Sequence, residues 1–151
     1  MGIKELEELA GTGKYVFHGS PVKLGKLEPR QAMRVDRELR KEIPDGKPCV
    51  AATPYYEIAI FRSLISAQVS RASGLMNHRS EFGIRMGKPY FKASKSAYDN
   101  AKTGIKGYVH VFDKDLFEDH SNMEVRAYAP VVPIQVIEVT GEDLPEEIEI
   151  I

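Results

Sequence analysis

The sequence predicts an α+β domain whose core is a split, mainly antiparallel β-sheet flanked by helices. Three observations carry this expectation. A run with Tyr15, Val16 and Phe17 at residues 14–18 and a short apolar run at 48–52 read as early strands, and residues 106–113, 122–129 and 131–140 as late ones. Between them stands one strong helical pattern with Tyr55, Ile58, Ala59, Phe61, Leu64 and Ile65 at its apolar positions. The 151 residues, 42% hydrophobic and 28% charged, suffice to bury one core and show no repeat, so a single domain over 1–151 follows, with its core at about 14–140 and an acidic tail at 141–151.

The elements follow in order. Ile3, Leu6, Leu9 and Ala10 at helical spacing predict a short amphipathic helix over 3–10, closed by Gly11. The next residues, Gly11-Thr12-Gly13-Lys14, lack the spacing of a phosphate-binding loop and lead into a strand instead of a helix. That strand, with Tyr15, Val16 and Phe17, breaks at Gly19-Ser20-Pro21. From 23 to 47 the pattern is irregular and reads as an excursive loop with one charged helix near 32–43. Thr53-Pro54 supplies a helix cap followed by a first-turn proline, and the helix it starts is expected to reach about Ser70. Residues 71–80 read as turn, 81–86 and 89–92 as two short strands around Gly87, and 95–102 as a modest helix.

Charge sets no strong global field: 21 Lys and Arg stand against 22 Asp and Glu, so a nucleic acid or anionic membrane would have to be met by a local patch. Basic residues gather at 30–47 and acidic ones at 142–149, and solvated faces account for both runs. A single Cys49 makes no internal disulfide, the amino terminus lacks a signal-peptide profile, and no run approaches ~18 apolar residues. A cytoplasmic protein without a membrane partner is the expectation.

Three places offer chemistry. His18 ends the first strand, followed by Gly19, where a ligand can approach the backbone, and by the Ser20 hydroxyl; alone, these residues describe a plain turn equally well. Strand alternation sets Met123, Val125 and Ala127 on one face and Glu124, Arg126 and Tyr128 on the other. A carboxylate there can stabilise a developing oxocarbenium ion, or it can simply pair with Arg126. Tyr55, Tyr56 and Phe61 after Val50-Ala51-Ala52 supply either a flat wall for an aromatic ring or ordinary core. His78, His110 and His120 show no metal-ligand spacing to Cys49 or to one another, so no metal is expected, and Cys49 reads as a buried structural thiol.

Taken in order, Tyr15-Val16-Phe17-His18-Gly19-Ser20, then Val50-Ala51-Ala52-Thr53-Pro54 leading to Ala59-Ile60-Phe61, then Asn122-Met123-Glu124-Val125-Arg126, resemble the three motifs of ADP-ribosyltransferase-like proteins. The pattern is most similar to the diphtheria-toxin and poly(ADP-ribose) polymerase branch, and to small bacterial and phage proteins with a His-Gly-Ser-Pro start. The resemblance implies the ADP-ribosyltransferase-like fold, NAD as substrate, and an enzyme that cleaves the nicotinamide glycosidic bond and passes ADP-ribose to a protein or nucleic-acid acceptor. It implies that His18 contacts the adenosine ribose, that Gly19 pairs its backbone with the nicotinamide amide assisted by Ser20, that Phe61 stacks on nicotinamide, and that Glu124 is the catalytic carboxylate. Tyr56 and Arg30 complete the expected cofactor-binding set.

The sequence departs from that branch at Val50, where the polymerases carry a strand tyrosine; Tyr55 or Tyr56 would compensate, and Tyr90-Phe91 followed by Ser94-Lys95-Ser96-Ala97 is a rival for the middle motif. Two further functions stay open. One is a non-catalytic module for a nucleotide, ADP-ribose or a nucleic-acid end; the other is an NAD-dependent RNA 2′-phosphotransferase, which would draw on Arg30, Arg34 and Arg126.

Overall fold

A computed structural model describes residues 2–75 and 78–151. Helix α1 (Gly2–Gly11) leads into β1 (Tyr15–Ser20), and a hairpin of β2 (Met33–Asp36) and β3 (Lys41–Pro44) precedes β4 (Val50–Ala52). Helices α2 (Tyr56–Leu64) and α3 (Ala67–Ala72) follow, then β5 (Ser80–Arg85), β6 (Lys88–Ala93) and α4 (Lys95–Ala101). The chain ends with β7 (Lys106–Asp113), β8 (Glu118–Asp119), β9 (Val125–Ala127), β10 (Gln135–Thr140) and β11 (Ile148–Ile150).

The fold is α+β and mainly antiparallel. β7 is central, pairing with β1 (Tyr15 opposite Asp113, Ser20 opposite Tyr108) and with β10 (Ile137 opposite Val109). β4 pairs with β9, and β9 with β8. One reciprocal bridge joins the two groups, with Phe17 and Thr53 exchanging backbone bonds of 2.8 and 2.8 Å. The strands therefore run in the order β8-β9-β4-β1-β7-β10, split where β1 and β4 part beyond that bridge. The split leaves an open seam at the carboxyl end of β1.

Alternation along β1 serves two cores. Phe17 faces a cluster with Leu6, Phe61, Leu64, Val109 and Val111, while Val16 faces a second with Leu27, Val50, Phe112 and Val125. α2 lies between the main sheet and a smaller sheet of β5, β6 and β11, so Ile58, Ala59, Ile60, Phe61, Ser63 and Leu64 are all buried. A helix covered on both sides needs apolar residues around most of its girdle, which its sequence supplies. Phe61 closes the contact, its ring centroid 4.9 Å from Phe91 and 6.3 Å from Phe82.

Four local expectations are corrected. Residues 32–43 form the β2–β3 hairpin and no helix, because Asp36 Oδ1 accepts from the Glu38 and Leu39 amides and sets a turn that the left-handed Arg40 completes. The helix expected to reach Ser70 stops at Leu64: Ile65 and Ser66 are extended, and the Ser66 hydroxyl caps the separate α3 by accepting from the Val69 amide. Thr53 does not cap α2; its Oγ1 accepts from the Tyr55 amide, and Tyr55 holds the N-cap position without a side-chain bond. The acidic tail is no solvated appendage, since Leu144 is buried and β11 adds parallel to β6 with Ile148 opposite Phe91. The late strands are also shorter than the 122–129 and 131–140 expected, and of the 71–80 segment Met76 and Asn77 lie outside the described residues.

Candidate active site at the open end of β1

The seam between β1 and β4 opens into a cavity of about 290 Å³, walled by residues 17–21, 51–53, one face of α2, the start of α3, Phe82 and Met123-Glu124. His18 is half-buried in it. Its Nδ1–H donates to the Ala51 carbonyl at 2.7 Å, so Nε2 carries the lone pair and is left as an acceptor. Burial lowers the His18 pKa to about 4 against the opposing bond to Ala51, with His110, Arg62 and Arg30 adding repulsion. The ring is neutral at physiological pH.

Beneath it lies His110, wholly buried, its ring centroid 6.0 Å from that of His18. The Leu24 amide donates to His110 Nε2 at 2.9 Å, which puts the proton on Nδ1, and Nδ1–H donates to the His18 carbonyl at 3.2 Å. His110 thus fixes the backbone at the end of β1, and burial lowers its pKa as well. Both histidines take up protons more readily in the unfolded chain, so both stabilise the fold above about pH 6.5, and the His18 contribution is lost as pH falls toward about 4. The thermal midpoint is expected to drop across that window, with His18 accounting for about 2–3 kcal/mol. A His18→Asn variant should flatten the profile; an equally steep drop in that variant would contradict the assignment.

Gly19 has two reasons to be glycine. An added Cβ would sit 1.9 Å from the Ala59 carbonyl oxygen, so α2 is packed directly on the strand backbone. Its polar atoms face the seam: Phe17 turns its backbone bonds to Thr53, Val111 turns its carbonyl to the Ile134 amide, and ladder alternation repeats this outward orientation at Gly19. Beyond the bridge β4 parts from β1, and among the described residues no backbone hydrogen bond from it reaches Gly19. The Gly19 N–H and C=O therefore offer one donor and one acceptor side by side. Ser20 is buried, and its Oγ accepts from the Val22 amide to make the turn out of β1.

Glu124 enters the cavity from the turn before β9, where its own carbonyl accepts from the His120 and Ser121 amides at 3.0 and 3.0 Å. Its Oε2 accepts from Arg126 Nε at 2.5 Å. Arg126 is buried and bonds Asp45 through both terminal nitrogens, 3.0 Å to the carbonyl and 3.0 Å to Oδ2. Burial works against the Arg126 charge, but the bonds to Glu124 and Asp45 outweigh it and raise its pKa. Arg62, on the last turn of α2, also lines the cavity, its guanidinium 5.2 Å from the centre of the Phe82 ring. Desolvation against the wall lowers the Arg62 pKa and the Glu124 charge opposes this, so the cavity carries a cation and a carboxylate together.

Of the residues singled out by sequence, His18, Gly19, Ser20 and Glu124 come together. Phe61 does not join them: it is 0% exposed, inside the core against Phe82 and Phe91. Tyr56 packs edge-on against Phe17 and donates its hydroxyl to Glu7 at 3.4 Å, with burial first and then Glu57 and Glu7 pushing its pKa up to about 12. Tyr55 and Tyr90 line a separate groove beside β6 and β11. Arg30 is exposed, its backbone bridged to Cys49, and it reaches His18 only as a repelling charge. Arg34 stands on the exposed hairpin.

Sequence reasoning missed Arg62, Phe82 and His110. Arg62 had one legible signal, as the one basic residue of a mostly apolar helix, set in its last turn. Phe82 had none, because nothing in a short strand's composition tells which of its neighbours a cleft separates. Cys49 is buried, and burial raises its thiol pKa. Among the described residues no three or more His, Cys, Asp or Glu side chains gather as a metal site, and no helix is long and apolar enough to cross a membrane. Comparison with protein-family models, curated proteins and solved structures returns no match to this chain.

Proposed function

We propose that this chain is an ADP-ribosyltransferase-like protein that binds NAD at the open end of β1 and cleaves its nicotinamide glycosidic bond. The observation that carries the proposal is the convergence of His18, Gly19 and Ser20 with Glu124, from opposite ends of the chain, on one cavity. Along one edge a carboxamide presents an N–H donor beside its carbonyl acceptor, which matches the outward pair on Gly19. The neutral His18 Nε2 accepts from a ribose hydroxyl. Phe82 takes the place expected of Phe61 as the aromatic beside the nicotinamide ring, and Arg62 supplies the cation for the pyrophosphate. Glu124 provides negative charge where the ribose becomes an oxocarbenium ion as nicotinamide leaves.

The cavity volume, about 290 Å³, lies at the small end of ligand pockets at ~300–1,000 Å³ and suits the nicotinamide-ribose half, with the adenosine half running out over the seam. The acceptor is a protein or nucleic-acid group, or water. One observation favours a binding module without turnover: the aromatic expected from α2 is locked in the core, and Phe82, from β5, stands in its place. A 2′-phosphotransferase has less support, because Arg126 is committed to Asp45 and Glu124.

Calorimetry with NAD, ADP-ribose and nicotinamide, followed by chromatographic detection of free nicotinamide, separates these. Binding of NAD with nicotinamide release is expected. NAD binding without release on prolonged incubation would favour the module, and no NAD binding at all would remove the proposal.

A further inference from the structure

Arg126 is 4% exposed, on a strand whose other two residues are also buried, and all of its polar contacts go to two acidic residues. Burying a guanidinium costs heavily unless every donor direction is matched, and here the planar fork is divided between Glu124 on one side and Asp45 on the other. The approach is tight. A Cβ on Gly46, which has φ +75, would come within 3.3 Å of Arg126 Nη1, so the chain after β3 closes directly over the guanidinium.

The consequence falls on Glu124. Residues 124 and 126 are two apart and so share one side of an extended chain, and the Arg126 Nε bond occupies Oε2. Among the described residues no hydrogen bond reaches Oε1, and the Glu124 side chain is 30% exposed where it lines the cavity. A free glutamate has several rotamers, most of which would point its charge away from a bound ribose. Here one oxygen is anchored to a buried, immobile partner and the other is left for the ligand.

We propose that Arg126, itself held by Asp45, is a positioning residue that fixes the Glu124 carboxylate so that Oε1 faces the cavity. This rests on the assignment of Glu124 to the cleavage step; it gives Arg126, the last residue of that motif, a role of its own and adds Asp45 from outside the motif. Asp45 comes from the segment after the β2–β3 hairpin, remote in sequence from Glu124, and nothing about it in the sequence marked it. Arginine is required, because a lysine in its place would keep the charge and lose the fork.

Two variants and one spectroscopic measurement test it. Asp45→Ala and Arg126→Lys are each expected to lower kcat for nicotinamide release by about tenfold to a hundredfold, since displacement of a catalytic group by about 1 Å costs that much. KM for NAD should stay within about twofold, because the nicotinamide and ribose contacts on β1 are untouched. A merely structural role would lower the thermal midpoint and leave kcat of the folded fraction at the wild-type value, and that result would overturn the proposal.

Independently of turnover, the Arg126 Nε–Hε cross-peak in a ¹H–¹⁵N spectrum should exchange slowly with solvent in the wild-type chain, move in Glu124→Ala and exchange faster in Asp45→Ala. A cross-peak indifferent to Glu124→Ala would overturn the proposal even in an active enzyme. Should the wild-type chain release no nicotinamide, the functional assignment fails and this spectrum alone decides whether Arg126 orders the carboxylate.

Discussion

Glu124→Gln is expected to slow nicotinamide release by about 10²–10³-fold while leaving NAD binding and the thermal midpoint close to wild type. The substitution removes charge and keeps shape. Glutamine keeps the length of the side chain, and its amide oxygen can still accept from Arg126 Nε, so the bond that anchors residue 124 survives. What disappears is the negative charge beside the anomeric carbon, needed only as the glycosidic bond breaks, which makes this a loss in kcat and not in ground-state affinity. Asp45 remains to balance the buried Arg126, which keeps the substitution from orphaning a cation. An unchanged rate would remove Glu124 from the chemistry, and a matching loss of NAD affinity would make it a binding residue. Single-turnover release against calorimetric affinity distinguishes all three.

How much of this was legible in the sequence depends on the range of the interaction that decides each point. The span 106–113 matches β7 end for end because its apolar run is long and its ends are marked, and α1 and the hairpin around Gly87 follow from equally local signals. The 32–43 segment departs from expectation because its charges mimic a solvated helix, whereas the Asp36 carboxylate captures two amides locally and turns the chain back. The motif alone puts Phe61 in the cleft, since its helix position fits. Only packing shows that β5 and β6 approach α2 from that side and bury the ring. Glu124, Arg126 and Asp45 show the same limit: the pairing of 124 with 126 follows from strand alternation, but Asp45 arrives through a hairpin whose path no local pattern encodes.

Gly19→Ala is expected to destabilise the fold by more than about 3 kcal/mol, lowering the thermal midpoint by roughly 10 °C for a chain of this size. The new methyl would stand 1.9 Å from the Ala59 oxygen, 2.8 Å from its carbonyl carbon and 3.0 Å from the Ser63 nitrogen, all backbone atoms of α2, so no side-chain rotation relieves the clash. α2 cannot retreat cheaply, because its far side holds Phe61 against Phe91, and β1 cannot retreat without breaking its ladder with β7. Gly25→Ala is the control: nothing lies within 4 Å of its added Cβ, and it should change stability by less than about 0.5 kcal/mol. The comparison separates two reasons for a glycine here, close approach by a ligand and close approach by a helix. If Gly19→Ala melts at the wild-type temperature yet fails to bind NAD, the ligand alone requires the glycine. If it melts early, the same absence of a side chain that opens the strand edge to a carboxamide also seats α2, and the site cannot lose the glycine without losing the helix that forms its wall.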